Sequence, residues 1–141
     1  MAEANAKRGS QAARPLSPHL QIYSMTISMA MSILHRLTGA ALYVGTLIVA
    51  WVLVAAASGP QYFDYVTGLL GTWPGLVVLF GYTWALLHHL VGGVRHFIWD
   101  TGRGYDIETI DLLAWGSLAV SGALTLLIWG YVLLSSGGVA T

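Results

Sequence analysis

The sequence predicts an all-α membrane protein in which three transmembrane helices form an up-down-up bundle. Its 141 residues are 56% apolar and only 9% charged, and the mean hydropathy is +0.68, which is too apolar for a soluble domain. Three long stretches contain no Asp, Glu, Lys or Arg: residues 37–63, 65–94 and 112–141. A bilayer core about 30 Å thick needs about 20 apolar helical residues, so each stretch is long enough to span it.

We place the three helices near residues 27–57, 73–99 and 112–134. A run of this length can also be the buried core helix of a soluble protein. Three such helices would leave almost nothing in 141 residues to bury them, so the membrane interpretation is preferred. The chain therefore divides into a polar N-terminal segment, residues 1–26, and a transmembrane domain, residues 27–141.

The distribution of positive charge predicts the orientation of the bundle. Positive side chains precede or open the first predicted helix: Lys7, Arg8, Arg14 and Arg36. The first connecting loop carries no Lys or Arg, whereas the second contains Arg103 and follows Arg95. Since such residues concentrate on the cytoplasmic side, we expect the N-terminus in the cytoplasm, or matrix, and the C-terminus outside. No apolar run close to Met1 resembles a cleavable secretory signal.

The overall charge and the amino-acid usage exclude several functions. Six Lys and Arg balance six Asp and Glu, which leaves no basic surface for the phosphates of a nucleic acid. The chain has no Cys, so it supplies no disulfide, no thiolate for an iron–sulfur cluster and no attachment point for a covalent haem. Any redox group that it binds must be held by other residues.

The first predicted helix carries a polar stripe along one face. Its members follow helical spacing: Ser32, His35, Arg36, Gly39, Tyr43 and Thr46. The part from Gly39 to Thr46 is also typical of small and hydroxylated residues that pack helix against helix, which is its simpler interpretation. The donors of Ser32, His35 and Arg36 lie at the inner membrane edge, where they are suited to bind an anion or carbonyl oxygens.

The second predicted helix places His89 deep in the hydrocarbon region. His89 and His96 are seven residues apart, so they share one face, about 10.5 Å apart along the axis. His89 is either a core histidine bonded to a neighbouring helix or a metal ligand that binds through a neutral ring nitrogen. A haem suits the second alternative better than zinc, which needs three or four convergent ligands. Gly93 leaves room for a flat macrocycle one turn after His89.

A low-spin electron-transfer haem needs a second axial ligand. Four polar side chains are expected near the inner edge, where they can bind haem propionates: His35, Arg36, Arg95 and His96. The two histidines among them lie about two turns from His89, so neither is expected to reach the iron from its other side. His88 points about 100° away from His89 around the helix. We therefore expect the second ligand to come from another polypeptide.

The third predicted helix has no His, which argues against a diheme cytochrome because four axial ligands would be needed. The broken helices or inverted repeats of a transporter are not visible in the sequence either. Aromatic residues near the predicted helix ends are interpreted as an interfacial belt: Trp51, Tyr62, Tyr65, Trp73, Trp99 and Tyr105.

Three sequence blocks in this order carry a family resemblance. They are Arg14-Pro15-Leu16-Ser17-Pro18-His19-Leu20 with Tyr23-Ser24, then Ser32-Ile33-Leu34-His35-Arg36-Leu37-Thr38-Gly39, and His89-x-x-x-Gly93-x-Arg95-His96-x-x-x-Asp100. At these spacings, and with the three-span layout, the chain resembles the cytochrome b membrane anchor of succinate dehydrogenase, respiratory complex II. The resemblance covers the chain from about Arg14 to the third helix.

The resemblance implies roles for individual residues. His89 matches the axial ligand of haem b, since it stands seven residues before the His of the Arg95-His96 pair. His88 departs from the family pattern, but the spacing to Gly93 favours His89. The residues that match positions at the haem propionates are His35 and Arg36. The residues that match the ubiquinone pocket are Ser32, Ile33 and Arg36.

The resemblance also implies partners and a location. In the family the quinone pocket is completed by the iron–sulfur subunit and by a second membrane-anchor subunit, while a flavoprotein subunit oxidises succinate. The chain would then share a haem b, contribute to the ubiquinone site and anchor the soluble subunits, against which residues 14–19 are expected to pack. The form of the first block and the lack of a transit peptide favour a bacterial inner membrane over the mitochondrial one.

Two alternatives remain beside this interpretation. The chain can be a purely structural membrane anchor whose histidines only satisfy helix contacts. It can also be another small b-type membrane cytochrome, unrelated to complex II.

Overall fold

The computed structural model describes residues 22–135. Its four helices, α1 to α4 in chain order, are Ile27–Ser58, Pro60–Leu70, Trp73–Asp100 and Ile107–Ser135. Helices α1, α3 and α4 are long and apolar enough to cross a membrane, which confirms the predicted all-α, three-span fold. The predicted contact of residues 14–19 with soluble subunits lies outside the described residues.

Three boundaries of α1 and α2 follow from local chemistry. At the start of α1, the side chain of Thr26 accepts a hydrogen bond from the Met29 amide, which caps the helix. At its end Gly59 adopts a φ of 122°, a conformation that L side chains rarely take. Pro60 then opens α2, where the missing N–H of proline is tolerated. The sequence predicts a loop here, and the structure shows a helix instead.

Helix α4 begins five residues earlier than the predicted start at residue 112. Asp106 caps it, because its Oδ1 accepts a hydrogen bond of 2.8 Å from the Thr109 amide. Hydrogen bonds from the Thr109 side chain and backbone hold the pKa of Asp106 below its ordinary value. Glu108 lies in the first turn, where the positive end of the helix dipole favours an anion. Asp106 and Glu108 are compatible with a membrane span, because they lie at the start of α4 and not in its apolar middle.

Helix α3 packs between α1 and α4. Against α1 the packing depends on small residues: Gly45 lies under the Tyr82 ring, and Gly92 lies under the ring of His35. Gly39 lies opposite His89, where a Cβ would come within 2.9 Å of Cε1. These pairs define an antiparallel register in which α1 and α3 approach closely.

Against α4 the packing of α3 is polar. Ser117, Ser121 and Thr125 are buried along one face of α4, at intervals of four residues. Trp129 Nε1 donates to Thr83 Oγ1 over 3.2 Å, which joins the same pair of helices further along. The large apolar side chains of the bundle are mostly exposed, as expected for spans that face lipid.

Candidate functional site

A polar pocket of about 350 Å³ opens at the end of the bundle where α1 begins and α3 ends. It is lined by Ser28, Ser32, His35, Arg36, Arg95, His96 and Trp99. Five of these are predicted site residues on two different helices, and the fold brings them together: Ser32, His35 and Arg36 of α1, and Arg95 and His96 of α3. Three other predicted site residues do not line the pocket: Ile33, His89 and Gly93.

His35 lies between the two histidines of α3. Its ring is stacked on that of His89, with centroids 4.0 Å apart and planes 4° apart, and lies 5.2 Å from the ring of His96. The prediction that His35 lies about two turns from His89 is therefore wrong. In the antiparallel register His35 is level with Gly92, only three residues, or about 4.5 Å, from His89.

The hydrogen bonds of His89 determine which ring nitrogen carries the proton. Its Nδ1 lies 3.1 Å from the carbonyl oxygen of His35 and 3.4 Å from Thr38 Oγ1. A carbonyl can only accept, so Nδ1–H donates and Nε2 keeps an unprotonated lone pair. Among residues 22–135, no side chain or backbone group hydrogen-bonds to Nε2. His89 thus has the tautomer and the free nitrogen that a metal ligand needs.

The neighbouring His88 is engaged elsewhere. It is buried, with 1% of its surface exposed, and its Nδ1 lies 3.1 Å from Ser121 Oγ of α4. Because the Ser121 hydroxyl donates to the carbonyl of Leu118, its oxygen is left to accept from His88. The ring also stacks on Trp84, with centroids 5.2 Å apart. His88 is therefore a structural residue of the α3–α4 interface.

Arg95 lies on the α4 side of the pocket and is only 5% exposed. Its Nη1 donates to Ser117 Oγ over 3.5 Å, and its guanidinium lies 5.1 Å from the centre of the Trp99 ring. Its Nε is buried without a partner, and no carboxylate of residues 22–135 forms an ion pair with it. An unpaired cation inside a membrane span is costly. The guanidinium of Arg95 is therefore suited to bind an anion that does not belong to the described part of the chain.

Ser32 and Arg36 form the outer lip of the pocket and are both exposed. Arg36 Nη2 donates to Ser32 Oγ over 3.0 Å. Since the oxygen of Ser32 accepts this bond, its own proton remains available for a ligand. Ile33 is half-exposed beside them. Gly93 has no atom within 4 Å of the position that a Cβ would occupy, so open space adjoins the backbone there.

Three contributors to the site were not predicted. Ser28 continues the polar stripe of α1 by one turn, and this spacing was visible in the sequence. Trp99, interpreted as a belt residue, lines the pocket and meets His96 edge-on at 5.3 Å. Ser117 of α4 holds Arg95. The sequence does contain a sign of this role, because Ser117, Ser121 and Thr125 are spaced four residues apart and so share one face of a helix.

These features define a small multi-pass helical membrane protein with a pocket of histidine, arginine and serine at one end. The family model for the succinate dehydrogenase/fumarate reductase transmembrane subunit matches residues 10–128. The chain belongs to this family, and it is a membrane subunit of succinate dehydrogenase, a complex with other subunits.

Several relatives are similar over most of the chain. The succinate dehydrogenase cytochrome b556 subunit of Paracoccus denitrificans is 39% identical over 120 residues, which are 82% of this chain and 92% of that protein. The protein of the same name from Rickettsia felis is 36% identical over 116 residues, 82% of this chain and 90% of its own. The mitochondrial cytochrome b560 subunit of Sus scrofa is 37% identical over 129 residues, 90% of this chain and 70% of that protein.

Proposed function

We propose that this chain binds haem b through His89, jointly with a second membrane subunit, and forms part of the ubiquinone site of a succinate:ubiquinone oxidoreductase. One observation carries the proposal: Nδ1–H of His89 donates to the carbonyl of His35, which leaves Nε2 free. Metal-bound histidines typically donate their other ring N–H in this way. The relatives are named as cytochromes b, which agrees with a haem.

The other residues of the site fit a haem as well. Arg95 supplies a buried cation without a counter-ion, and Arg36 supplies a second at the lip, so both can bind propionate carboxylates. The open space beside Gly93 can accept the edge of a macrocycle. When bound, the haem supplies one-electron transfer.

The described histidines support a ligand from a second polypeptide. His88 is bonded to Ser121 of α4, and His35 is stacked face to face on His89 rather than across a gap from it. Two parallel rings 4.0 Å apart cannot bind opposite faces of one iron. His96 lines the polar pocket, where its ring contacts Trp99. A second residue that holds the haem would therefore come from the second membrane anchor.

The lip of the pocket supports the quinone assignment. The free proton of Ser32 can be donated to a quinone carbonyl, and the Arg36 guanidinium stabilises the negative charge that develops on that oxygen during reduction. The half-exposed Ile33 offers an apolar contact beside them. The pocket opens at the end of the bundle, so water can deliver the protons that quinone reduction consumes.

The proposed setting is the inner membrane of a bacterium. There a flavoprotein subunit oxidises succinate, and an iron–sulfur subunit passes single electrons to a quinone held between that subunit and the two membrane anchors. This chain itself contributes donors, a cation and a haem ligand, and it has no complete active site of its own. Its apolar spans hold the soluble subunits at the membrane.

The test compares two neighbouring substitutions, His89→Asn and His88→Asn, in the purified complex. Asn replaces Nδ1 of the ring but has no counterpart of Nε2, so His89→Asn keeps the hydrogen bond to His35 and removes only the proposed ligand atom. His88→Asn keeps its bond to Ser121. We expect the b-type band of the reduced-minus-oxidised spectrum to disappear in His89→Asn and to persist in His88→Asn.

The same spectra decide between this function and a purely structural anchor. A normal band in His89→Asn would refute ligation by this residue. A complex that carries no b-type band before any substitution would show that the histidines only hold the helices together.

A further inference from the structure

The short helix α2 crosses the end of α1 at a nearly constant level. Near its start, the Tyr62 hydroxyl accepts a hydrogen bond of 2.9 Å from Trp51 Nε1. At its end, Leu70 lines an apolar cleft of about 200 Å³ together with Val49 and Val52 of α1. Tyr62 and Leu70 are about 12 Å apart along α2, yet both meet α1 within a few residues of position 51. Helix α2 therefore runs across the spans rather than along them.

This level coincides with a membrane boundary. Helix α1 has 32 residues, or about 48 Å, whereas the hydrocarbon core is about 30 Å thick. Counting about 20 residues from the charged Arg36 places the opposite boundary near Ala56, within two turns of Trp51. Helix α2 thus lies at headgroup depth, at the end of the bundle away from the polar pocket.

Three of the sectors around the axis of α2 differ in what they contact. The inner sector packs on the bundle, with Val66 fully buried at its centre. The outer sector, opposite to it, is polar and small: Gln61, Asp64 and Gly68. Between them lies a flank with Tyr65, which is 65% exposed, and Leu69, which is 46% exposed. A helix that lies in an interface presents polar residues to water and an apolar flank to acyl chains.

We propose that α2 is an interfacial helix, whose apolar flank of Tyr65 and Leu69 contacts the lipid of the leaflet away from the polar pocket. Tyrosine is favoured at this depth because its ring is apolar and its hydroxyl reaches water. The inner sector also adjoins surface already assigned to lipid, because Leu70 shares a cleft with Val49 and Leu53, which are exposed on α1. The cleft has no polar residue except Tyr82, so it suits an acyl chain.

The lipid assignment concerns the opposite end of the bundle from the haem and quinone site and does not depend on that function. The outer sector carries a single acid, Asp64, and α2 has no Lys or Arg. Such a helix is held in the interface by its aromatic and aliphatic side chains rather than by attraction to anionic lipids. Its contact with α1 through Trp51 and Tyr62 then fixes the depth of the bundle in the membrane.

Single-cysteine variants of neighbouring residues test the sectors. The chain has no Cys, so any maleimide mass on it reports the introduced residue. The pairs are Asp64→Cys with Tyr65→Cys, and Gly68→Cys with Leu69→Cys, each in the assembled complex in native membranes. A membrane-impermeant maleimide should label 65 and 69 about tenfold more slowly than 64 and 68, because an apolar setting suppresses the thiolate. Equal rates within each pair would overturn the proposal.

A second measurement identifies what covers the flank. A p-benzoylphenylalanine in place of Tyr65 keeps an aromatic ring there and forms a covalent adduct with its neighbour under illumination. We expect the mass of a phospholipid on this chain. A cross-link to another polypeptide would overturn the proposal, because a protein partner would then cover the flank.

Discussion

Two adjacent histidines of α3 have different roles because one residue turns a helical side chain by about 100°. His88 points to α4 and bonds to Ser121, while His89 points to α1 and bonds to the carbonyl of His35. The sequence predicts this division, since seven-residue spacing links His89 to His96. It does not predict that His35 is stacked on His89, because the register between antiparallel helices depends on how Gly39 and Gly92 pack.

For individual residues, the hydrogen-bonded pair of Ser32 and Arg36 leads to a prediction about quinone reduction. Ser32→Ala removes the donor, and Arg36→Gln removes the charge that stabilises the reduced carbonyl. Each change should lower succinate:quinone reductase activity about tenfold or more, since a hydrogen bond to a charged group contributes about 1.5–3 kcal/mol. Succinate oxidation by an artificial acceptor should be unchanged, because it does not use the membrane site.

A matched control for these variants is Ser58→Ala. Ser58 is also an exposed serine of α1, and its hydroxyl bonds only to the Val54 carbonyl of its own helix. Both activities should stay normal in this variant. Normal quinone kinetics in Ser32→Ala and Arg36→Gln would refute their assignment to the quinone site.

At the scale of elements, the sequence predicts the spans well and their partners poorly. Residues 27–57 and 73–99 agree with α1 and α3 to within one residue at each end, because long runs of mostly apolar residues determine where a span lies. Helix α4 begins earlier than predicted, because its first turns contain Glu108 and Asp111 and so precede the charge-free run that starts at residue 112. Helix α2 was missed because eleven residues are too short for a span.

Helix α4 has no predicted site residue, yet its side chains position polar groups of α3. Ser117 accepts a hydrogen bond from Arg95, and Ser121 accepts one from the buried His88. Each contact involves a side chain that would be unpaired inside the membrane without α4. Although α4 has no His to bind a metal, its serines hold two polar side chains of α3 in place.

The bond between His88 and Ser121 leads to a prediction about stability. Ser121→Ala leaves Nδ1 of His88 buried without a partner, which should cost about 1–2 kcal/mol. The SDS concentration at which the membrane subunits of the purified complex unfold should fall. Ser121→Thr, which keeps the hydroxyl, should restore much of it.

Ser135→Ala serves as the control, because Ser135 is exposed and bonds only to the Val132 carbonyl in its own helix. This variant should unfold at the normal SDS concentration. If Ser121→Ala behaves like Ser135→Ala, the hydrogen bond does not stabilise the α3–α4 pair.

At the scale of the whole molecule, the polar pocket lies at the same end of the bundle as the three Arg residues of the described chain: Arg36, Arg95 and Arg103. The pocket is formed by the start of α1 and the end of α3, and the loop that follows α3 contains Arg103. The opposite end carries α2, with Asp64 and no Lys or Arg. From the positive-inside rule we expect the pocket on the cytoplasmic face.

This orientation is a prediction that the proposed function requires, because a quinone must receive electrons from soluble subunits on the side where the pocket opens. Alkaline phosphatase, which is active only outside the cytoplasm, should be active when fused after the full chain. The same reporter fused after Gly104, beyond α3, should be inactive, and green fluorescent protein should show the reverse pattern. An active phosphatase after Gly104 would place the pocket of Ser32 and Arg36 on the outer face, where it could not accept electrons from cytoplasmic subunits.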